Sequence, residues 1–307
     1  MSFESFINNI TPNNSSDVSI SWNSIRNTIT GKSNIISDSF LTGSYIRYTK
    51  IHPIDDLDIF FNIKFWNTNI KKTNNWIKIY ISSNYDNHQL KDFSTYDYED
   101  NRYYVSPVKL INHIWKLVKE TYTTTNEQTR NWECYTVCLS SKNLTIDCVP
   151  YTWVTNEEYL LIPKWWNNLY WKKTNPKIDN IKINEINNSL NYNWKFKWVV
   201  KIIKYWNKYK NTGIKFKSYI LESLIYYAFK EKCNRNMWYI ILLKKVIEYI
   251  YNNVDNNCNI YDIPKYEYMY YNLELEQKIR IKNKLSDFYE KLKVWEYITL
   301  EYLEINN

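Results

Sequence analysis

Glycine is almost missing from this chain. The 307 residues hold Gly31, Gly43 and Gly213 and no other, where average usage of about 7% would give roughly 21. Glycine codons begin with GG, so an AT-rich coding sequence accounts for the scarcity, together with the abundance of Asn, Ile, Lys and Tyr. Each surviving glycine is then a candidate backbone necessity. Cysteine is also sparse. Cys134, Cys138, Cys148, Cys233 and Cys258 form no CxxC pair and have no histidine at zinc spacing, which excludes a zinc ribbon or finger and points to free thiols in a reducing compartment. A long uncharged apolar run is lacking as well. The most apolar stretch, Met237 to Val254, contains Lys244, Lys245 and Glu248 and reads as a buried helix rather than a membrane span. The opening MSFESFINNI has neither a basic start nor a long apolar run, so no signal peptide is expected and the location reads as cytoplasmic.

What is present is ordinary in bulk. Hydrophobic residues make up 44% and charged residues 23%, enough for one large or two smaller globular domains. The net charge of +8 is unevenly spread. Residues 171–220 carry twelve lysines against Asp179 and Glu185, a net +10, so the remainder of the chain sums to −2. A concentrated basic surface suits a polyanion such as nucleic acid or a nucleoside triphosphate, and equally suits a solvated lysine-rich face.

Periodicity divides the chain into two halves of different character. Ile20, Trp22, Ile25 and Ile29 mark one or two N-terminal helices, followed by a short strand or turn entry at Ser39 to Ser44. Asp56 to Ile63 is a strand, Trp76 to Ser82 is strand-like, and Asn84 to Asn101 is polar and loop-like. Pro107 to Tyr122 is an amphipathic helix with proline in its first turn. Glu133 to Leu139 and Leu144 to Val149, separated by Ser140 to Asn143, form a hairpin. Helical patterns then dominate: Ile181 to Leu190, Lys195 to Lys210, Lys217 to Lys232, Met237 to Asn253 and, with breaks, Leu273 to Leu303. The fold class is α+β, a mixed sheet with helices leading into a helical C-terminal part.

The chemistry concentrates in Thr42-Gly43-Ser44-Tyr45-Ile46-Arg47-Tyr48-Thr49 and Asp56-Leu57-Asp58. Strand side chains alternate faces, so Asp56 and Asp58 point one way while Leu57, Ile59 and Phe61 take the other. Two carboxylates on one face with apolar backing suit a hard divalent cation shared with substrate phosphates. Gly43 lets the backbone approach phosphate closely, and the Ser44 hydroxyl adds a donor. Asp147 stands alone among uncharged neighbours in Leu144 to Pro150. A lone acid there is costly without partners, which fits a third metal ligand on a strand beside the first.

These elements resemble the polymerase-β-like nucleotidyltransferases, within them the group that contains cyclic GMP–AMP synthase, oligoadenylate synthase and the bacterial CD-NTases. The family pattern is hydrophobic-Gly-Ser at Leu41 to Ser44, a threonine at Thr49, the Asp-x-Asp strand, and a later strand ending Asp-hydrophobic-hydrophobic-Pro, here Asp147 to Pro150. Thr174 to Lys177 resembles the family's Asn-Pro-Lys turn into the helical lobe. Lys201 to Asn207 resembles the helix whose lysine binds triphosphate, with Lys204 the match. Lys217-Ser218-Tyr219, followed by Glu222, resembles a Ser-Tyr pair that touches phosphate and stacks on a base. The resemblance implies a polymerase-β-like catalytic core over residues 1–165 and a helical domain over 166–307 that completes the nucleotide-binding cleft. It implies Asp56, Asp58 and Asp147 as catalytic metal ligands, and Gly43, Ser44, Thr49, Lys204, Ser218 and Tyr219 as nucleotide-binding residues. The implied cofactor is two Mg2+ ions, with Mn2+ as substitute. NTPs are the substrates, and the product is a cyclic or linear oligonucleotide messenger for a downstream effector in antiviral defence. Constitutive activity and activation by a nucleic acid, a peptide or a partner protein all stay open. No zinc-ligand insertion of the animal type is visible, and residues 65–105 match no part of the pattern. Two other readings stay open at this point: a template-independent transferase acting on an RNA or tRNA 3′ end, and a non-catalytic nucleotide sensor on the same fold.

Overall fold

The structure is a computed structural model that describes residues 3–294 except 13–15, 66–67, 74–75, 83–87, 123–128, 131–132, 165–168, 189–191, 212–214 and 270–272. Helices α1 (Phe3–Ile10) and α2 (Ser16–Lys32) come first. The inward face of α2 is Val18, Ser21, Ile25 and Ile29. Ile20 is 61% exposed, because two residues on from Val18 is nearly the opposite side of a helix. Strand β1 (Ile36–Thr42) leads into the single turn α3 (Gly43–Ile46), and β2 (Asp56–Ile63) follows.

Residues 65–105 contain four strands: β3 (Thr68–Lys72), β4 (Ile77–Ile81), β5 (Ser94–Asp97) and β6 (Arg102–Val105). The polar stretch read as a loop therefore holds β5. That strand closes one end of the sheet, where little apolar surface is required and polar side chains discourage further pairing. Helix α4 (Pro107–Lys119) starts as its sequence demands. Ser106 is extended and its hydroxyl accepts from the Lys109 N–H, with Pro107 in the first turn. A two-residue strand β7 (Thr129–Arg130) precedes the expected hairpin of β8 (Tyr135–Leu139) and β9 (Leu144–Trp153), which turns through left-handed Asn143. Strands β10 (Leu160–Pro163) and β11 (Trp171–Thr174) complete the sheet.

Its order is β1-β2-β9-β10-β11-β4-β6-β5, with β3 beside β4, β8 beside β9 and β7 beside β8. Every pairing is antiparallel except β2 with β9, which run parallel from Asp56↔Thr145 to Asn62↔Tyr151. Helices α2 and α4 pack on each other and against β1, β2, β8 and β9. The side chains that alternate away from the aspartates are closed to solvent: Leu57, Ile59, Phe61, Ile146 and Cys148 are all 0% exposed. That apolar layer fixes which face the aspartates take.

The remaining elements are helical: α5 (Pro176–Asn187), α6 (Lys195–Tyr205) running into a wider turn at Trp206–Lys210, α7 (Ser218–Lys232), α8 (Tyr239–Val254) and α9 (Leu275–Val294). A short ribbon of β12 (Ile260–Tyr261) and β13 (Tyr268–Met269) lies between the last two. Two compact units result. One comprises Asn14–Gly43 and Ile54–Pro176 and holds the sheet. The other comprises Met1–Asn13, Ser44–Pro53 and Lys177–Asn307 and is helical. The helical unit has its own core, in which Val200, Ile203, Leu221, Leu224, Leu243 and Ile247 are closed to solvent. Phe6 of α1 packs edge-on against Tyr205 of α6 with ring centroids 5.3 Å apart. Among the described residues no helix is long and apolar enough to cross a membrane. All five cysteines are free thiols.

Truncating the layer beneath the aspartates should unfold the sheet rather than blunt a surface. Ile59→Ala is expected to cost about 2–5 kcal/mol, read as a lowered urea midpoint with an unchanged slope.

Candidate catalytic site and a buried ionic network

The parallel register sets Asp58 directly beside Asp147. Extending the row across the sheet, Thr42 of β1 pairs with Asp58, and Thr136 of β8 pairs with Asp147. The row on this face is therefore Thr42, Asp58, Asp147, Thr136, at the spacing of roughly 4.8 Å that separates neighbouring strands. Asp56 precedes Asp58 by two positions and shares its face. Exposure is graded along β2: Asp56 is exposed, Asp58 is half-buried, and Phe60 beyond it is buried. Phe60 pairs with Phe40 and Val149, and with Cys134, Tyr151, Leu160 and Ile162 they form an apolar cluster on the same side. The carboxylates thus stand where this face changes from dry to wet.

Thr136 donates its hydroxyl to Asp147 Oδ1 at 2.5 Å, which fixes the rotamer of that carboxylate. Gly43 fixes the other. Its φ is +79°, and a Cβ placed on it would stand 1.9 Å from Asp58 Oδ2. Only glycine admits both the left-handed backbone and the Asp58 carboxylate lying against its Cα. Gly31, by contrast, has nothing within 4 Å of its absent side chain, and Gly213 lies outside the described residues. Among the described residues no group of three or more His, Cys, Asp or Glu side chains stands as a ready-made metal cage. The oxygen-only donor set of Asp58 and Asp147 in register, with Asp56 at the open end, nonetheless fits magnesium. That ion usually binds through one or two carboxylates and completes its shell with water and substrate phosphates.

The nucleotide-binding residues expected after Gly43 belong to the helical unit. The Ser44 carbonyl accepts from the N–H groups of Thr49 and Lys50 at 3.0 and 3.1 Å, closing a tight loop. Thr49 is wholly buried and donates its hydroxyl to Glu222 Oε1 at 3.0 Å. Lys204 is buried and paired with the same Glu222 oxygen, while Arg47 Nε donates to Oε2 at 2.9 Å. Glu222 is 0% exposed. Burial alone would raise its pKa, but the Arg47 guanidinium and the Lys204 ammonium hold it down to about 2. Burial depresses Lys204, and Arg47 and Lys50 depress it further, against the pull of Glu222. Tyr219 donates its hydroxyl to both Asp179 oxygens at 3.0 Å, and the Arg47 guanidinium lies over its ring at 5.8 Å. Burial pushes Asp179 up to about 7, against the opposing effect of Arg47 and the Tyr219 hydrogen bond. Ser218, the first residue of α7, is exposed.

Sequence reasoning found the aspartates but not this network. Arg47 lies inside the quoted Thr42 to Thr49 segment, Glu222 four residues after Ser218, and Asp179 two after Lys177. Nothing in those spacings tells that one carboxylate joins Arg47, Thr49 and Lys204.

Comparisons with known proteins bear on the fold and on what the chain is similar to. Residues 1–77 match the family described as Second Messenger Oligonucleotide or Dinucleotide Synthetase domain. A Bacillus cereus (strain VD146) protein named as a probable cyclic nucleotide synthase is 28% identical over 257 residues, covering 81% of this chain and 72% of that protein. Among solved structures, the Bradyrhizobium diazoefficiens CD-NTase CdnG in complex with GTP superposes with a TM-score of 0.64 at 11% identity, over 95% of this chain and 90% of that one. CdnC of E. coli MS115-1 with ATP gives a TM-score of 0.62 at 12% identity, over 93% and 89%.

Two measurements follow from the geometry. Gly43→Ala should destabilise the protein by more than about 1 kcal/mol because its backbone is left-handed, and turnover should fall further than the loss of folded protein explains. Gly31→Ala should instead stabilise helix α2 by roughly 0.4–1 kcal/mol; thermal melts of the two variants read the contrast. Glu222→Gln leaves two buried cations uncompensated and should cost about 3–5 kcal/mol. Because the folded pKa of Glu222 is depressed from 4.5 to about 2, its contribution is present above pH 4.5 and lost as pH falls towards 2. The variant's acid unfolding curve should lack that step.

Proposed function

We propose that the chain is a nucleotidyltransferase of the CD-NTase kind and that it joins NTPs into a cyclic oligonucleotide second messenger at Asp56, Asp58 and Asp147. The observation that carries the reading is the register of Asp58 with Asp147 on adjacent parallel strands, with Asp56 on the same face. These three carboxylates would hold magnesium, or manganese in its place, and the metal would supply neutralisation of phosphate charge and a lowered pKa for a coordinated ribose hydroxyl.

The chain's own groups do the rest. Asp147, its rotamer fixed by Thr136, is the carboxylate nearest the attacking hydroxyl. Asp58, held against Gly43, stays in place while substrate charge changes, so little reorganisation is needed during the reaction. The apolar cluster of Phe40, Phe60 and Val149 beside the pair keeps the local dielectric low and strengthens those charge interactions. The open Gly43 backbone and the Ser44 hydroxyl bind phosphate. Lys204 and Ser218 contact the triphosphate, and the Tyr219 ring faces a base. The Bacillus cereus relative, named as a cyclic nucleotide synthase, supports a cyclic product. Its destination is an effector that senses cyclic oligonucleotides in cytoplasmic antiviral defence, a placement supported by the family resemblance.

The test incubates the protein with four α-labelled NTPs and magnesium or manganese, treats with phosphatase and resolves the products. Short phosphatase-resistant products are expected from the wild type. Asp58→Asn should lower their rate by about a hundredfold or more with an unchanged melting curve. Retention of most of the turnover by Asp58→Asn would overturn the site. Label appearing only on added RNA would replace messenger synthesis with 3′-end transfer.

A further inference from the structure

Helix α6 carries a second feature that the catalytic reading leaves unused. Lys197, Lys201 and Lys204 recur at i, i+4 and i+7, which stacks them along one face of the helix with Cβ atoms roughly 5–6 Å apart. All three are buried, at 9, 8 and 7% exposure. Lys204 has its counter-ion in Glu222. The other two have neutral partners. Lys197 Nζ donates to Asn184 Oδ1 at 2.7 Å, and Lys201 Nζ donates to Thr11 Oγ1 at 2.9 Å. Among the described residues neither forms an ion pair with a carboxylate.

Buried ammonium groups are ordinarily paired with an acid, because a hydrogen bond to a neutral oxygen satisfies the donor but leaves the charge uncompensated. Two adjacent cations on one face add mutual repulsion. Burial depresses both lysines, and the charge of Lys197 presses Lys201 down further, to about 8. The arrangement costs stability as it stands. The row is not sealed: Asn184, at the Lys197 end, is exposed. There Tyr48 presents a ring that is 65% exposed, held out by a left-handed backbone at φ 58°, with the Lys197 ammonium 5.2 Å from its centroid. An aromatic face beside two uncompensated cations is the combination that takes a nucleotide, phosphates on the ammonium groups and base on the ring.

We propose that Lys197, Lys201 and Tyr48 form a nucleotide polyphosphate-binding subsite on the helical unit, separate from Lys204. The choice of a nucleotide rests on the nucleotidyltransferase reading; the anion site itself does not. Lys197 and Lys201 bind the phosphate chain, and the Tyr48 ring receives the base.

The test is titration calorimetry in EDTA, so that metal-dependent binding at the aspartates is silent, with inorganic tripolyphosphate and then ATP as probes. The proteins are the wild type, the double variant Lys197→Met and Lys201→Met, Tyr48→Ala and Asp58→Asn. Methionine keeps side-chain length and removes the buried charge, so the double variant should melt no lower than the wild type. Tripolyphosphate should bind the wild type and Asp58→Asn alike, and bind the double variant about tenfold or more weakly. Tyr48→Ala should weaken ATP about tenfold and leave tripolyphosphate unchanged. Tripolyphosphate also should raise the wild-type melting temperature and not that of the double variant. Equal binding by the double variant and the wild type overturns the site. Equal affinity for ATP and tripolyphosphate in wild type and Tyr48→Ala overturns the nucleotide assignment. If Asp58→Asn retains turnover, the catalytic assignment fails while these binding results stand by themselves.

Discussion

Parallel pairing of β2 with β9 is the constraint from which the carboxylate face follows. In an otherwise antiparallel sheet, this one pairing brings Asp58 and Asp147 to the same register position from segments far apart in sequence. The apolar partners Leu57, Ile59, Ile146 and Cys148, all closed to solvent, leave the aspartates one face to occupy. A slip of one residue would exchange the two sets and place carboxylates in the layer beneath α2 and α4. Hydrophobic burial and placement of the carboxylates are therefore one specification. The like-charge pair works against the sheet that carries it, and the dry cluster of Phe60, Val149 and Tyr151 beside it supplies compensating burial.

The helical unit is organised around an opposite arrangement, one acid among several bases. Glu222 is shared by Arg47, Thr49 and Lys204, and it ties the 44–53 segment to α6 and α7. Such a cluster is weak evidence for stability in itself; its effect is to hold a loop in one conformation. Lys197 and Lys201 lie on the same helix without acids of their own. The +10 window is thus not simply a solvated lysine face: its lysines on α6 have buried stems, and one helical face collects three of them.

Much of the fold could be read from the residues. Asp56 to Ile63 is a strand with the expected bounds, the β8–β9 hairpin turns where Ser140 to Asn143 suggested, and Pro107 opens a helix behind a serine cap. These elements announce themselves through local chemistry: alternation, a turn residue tolerant of positive φ, a cap. The glycine argument held at Gly43, where a backbone need exists, and not at Gly31, where the helix leaves room. Strand β5 was illegible because an edge strand need not be apolar. The Asp-x-Asp face was legible because alternation is a local rule. The sharing of Glu222 was not, since Arg47 and Glu222 are 175 residues apart and nothing local records their meeting.

Gly43 also bears on how this protein can change over generations. Every replacement of a glycine by another amino acid adds a Cβ, and at this position the Cβ falls on Asp58 Oδ2. No stepwise path leads away from it that first passes through a tolerated neighbour. In a chain with two other glycines, the position is a fixed point: a side chain here and the Asp58 carboxylate where it lies exclude each other.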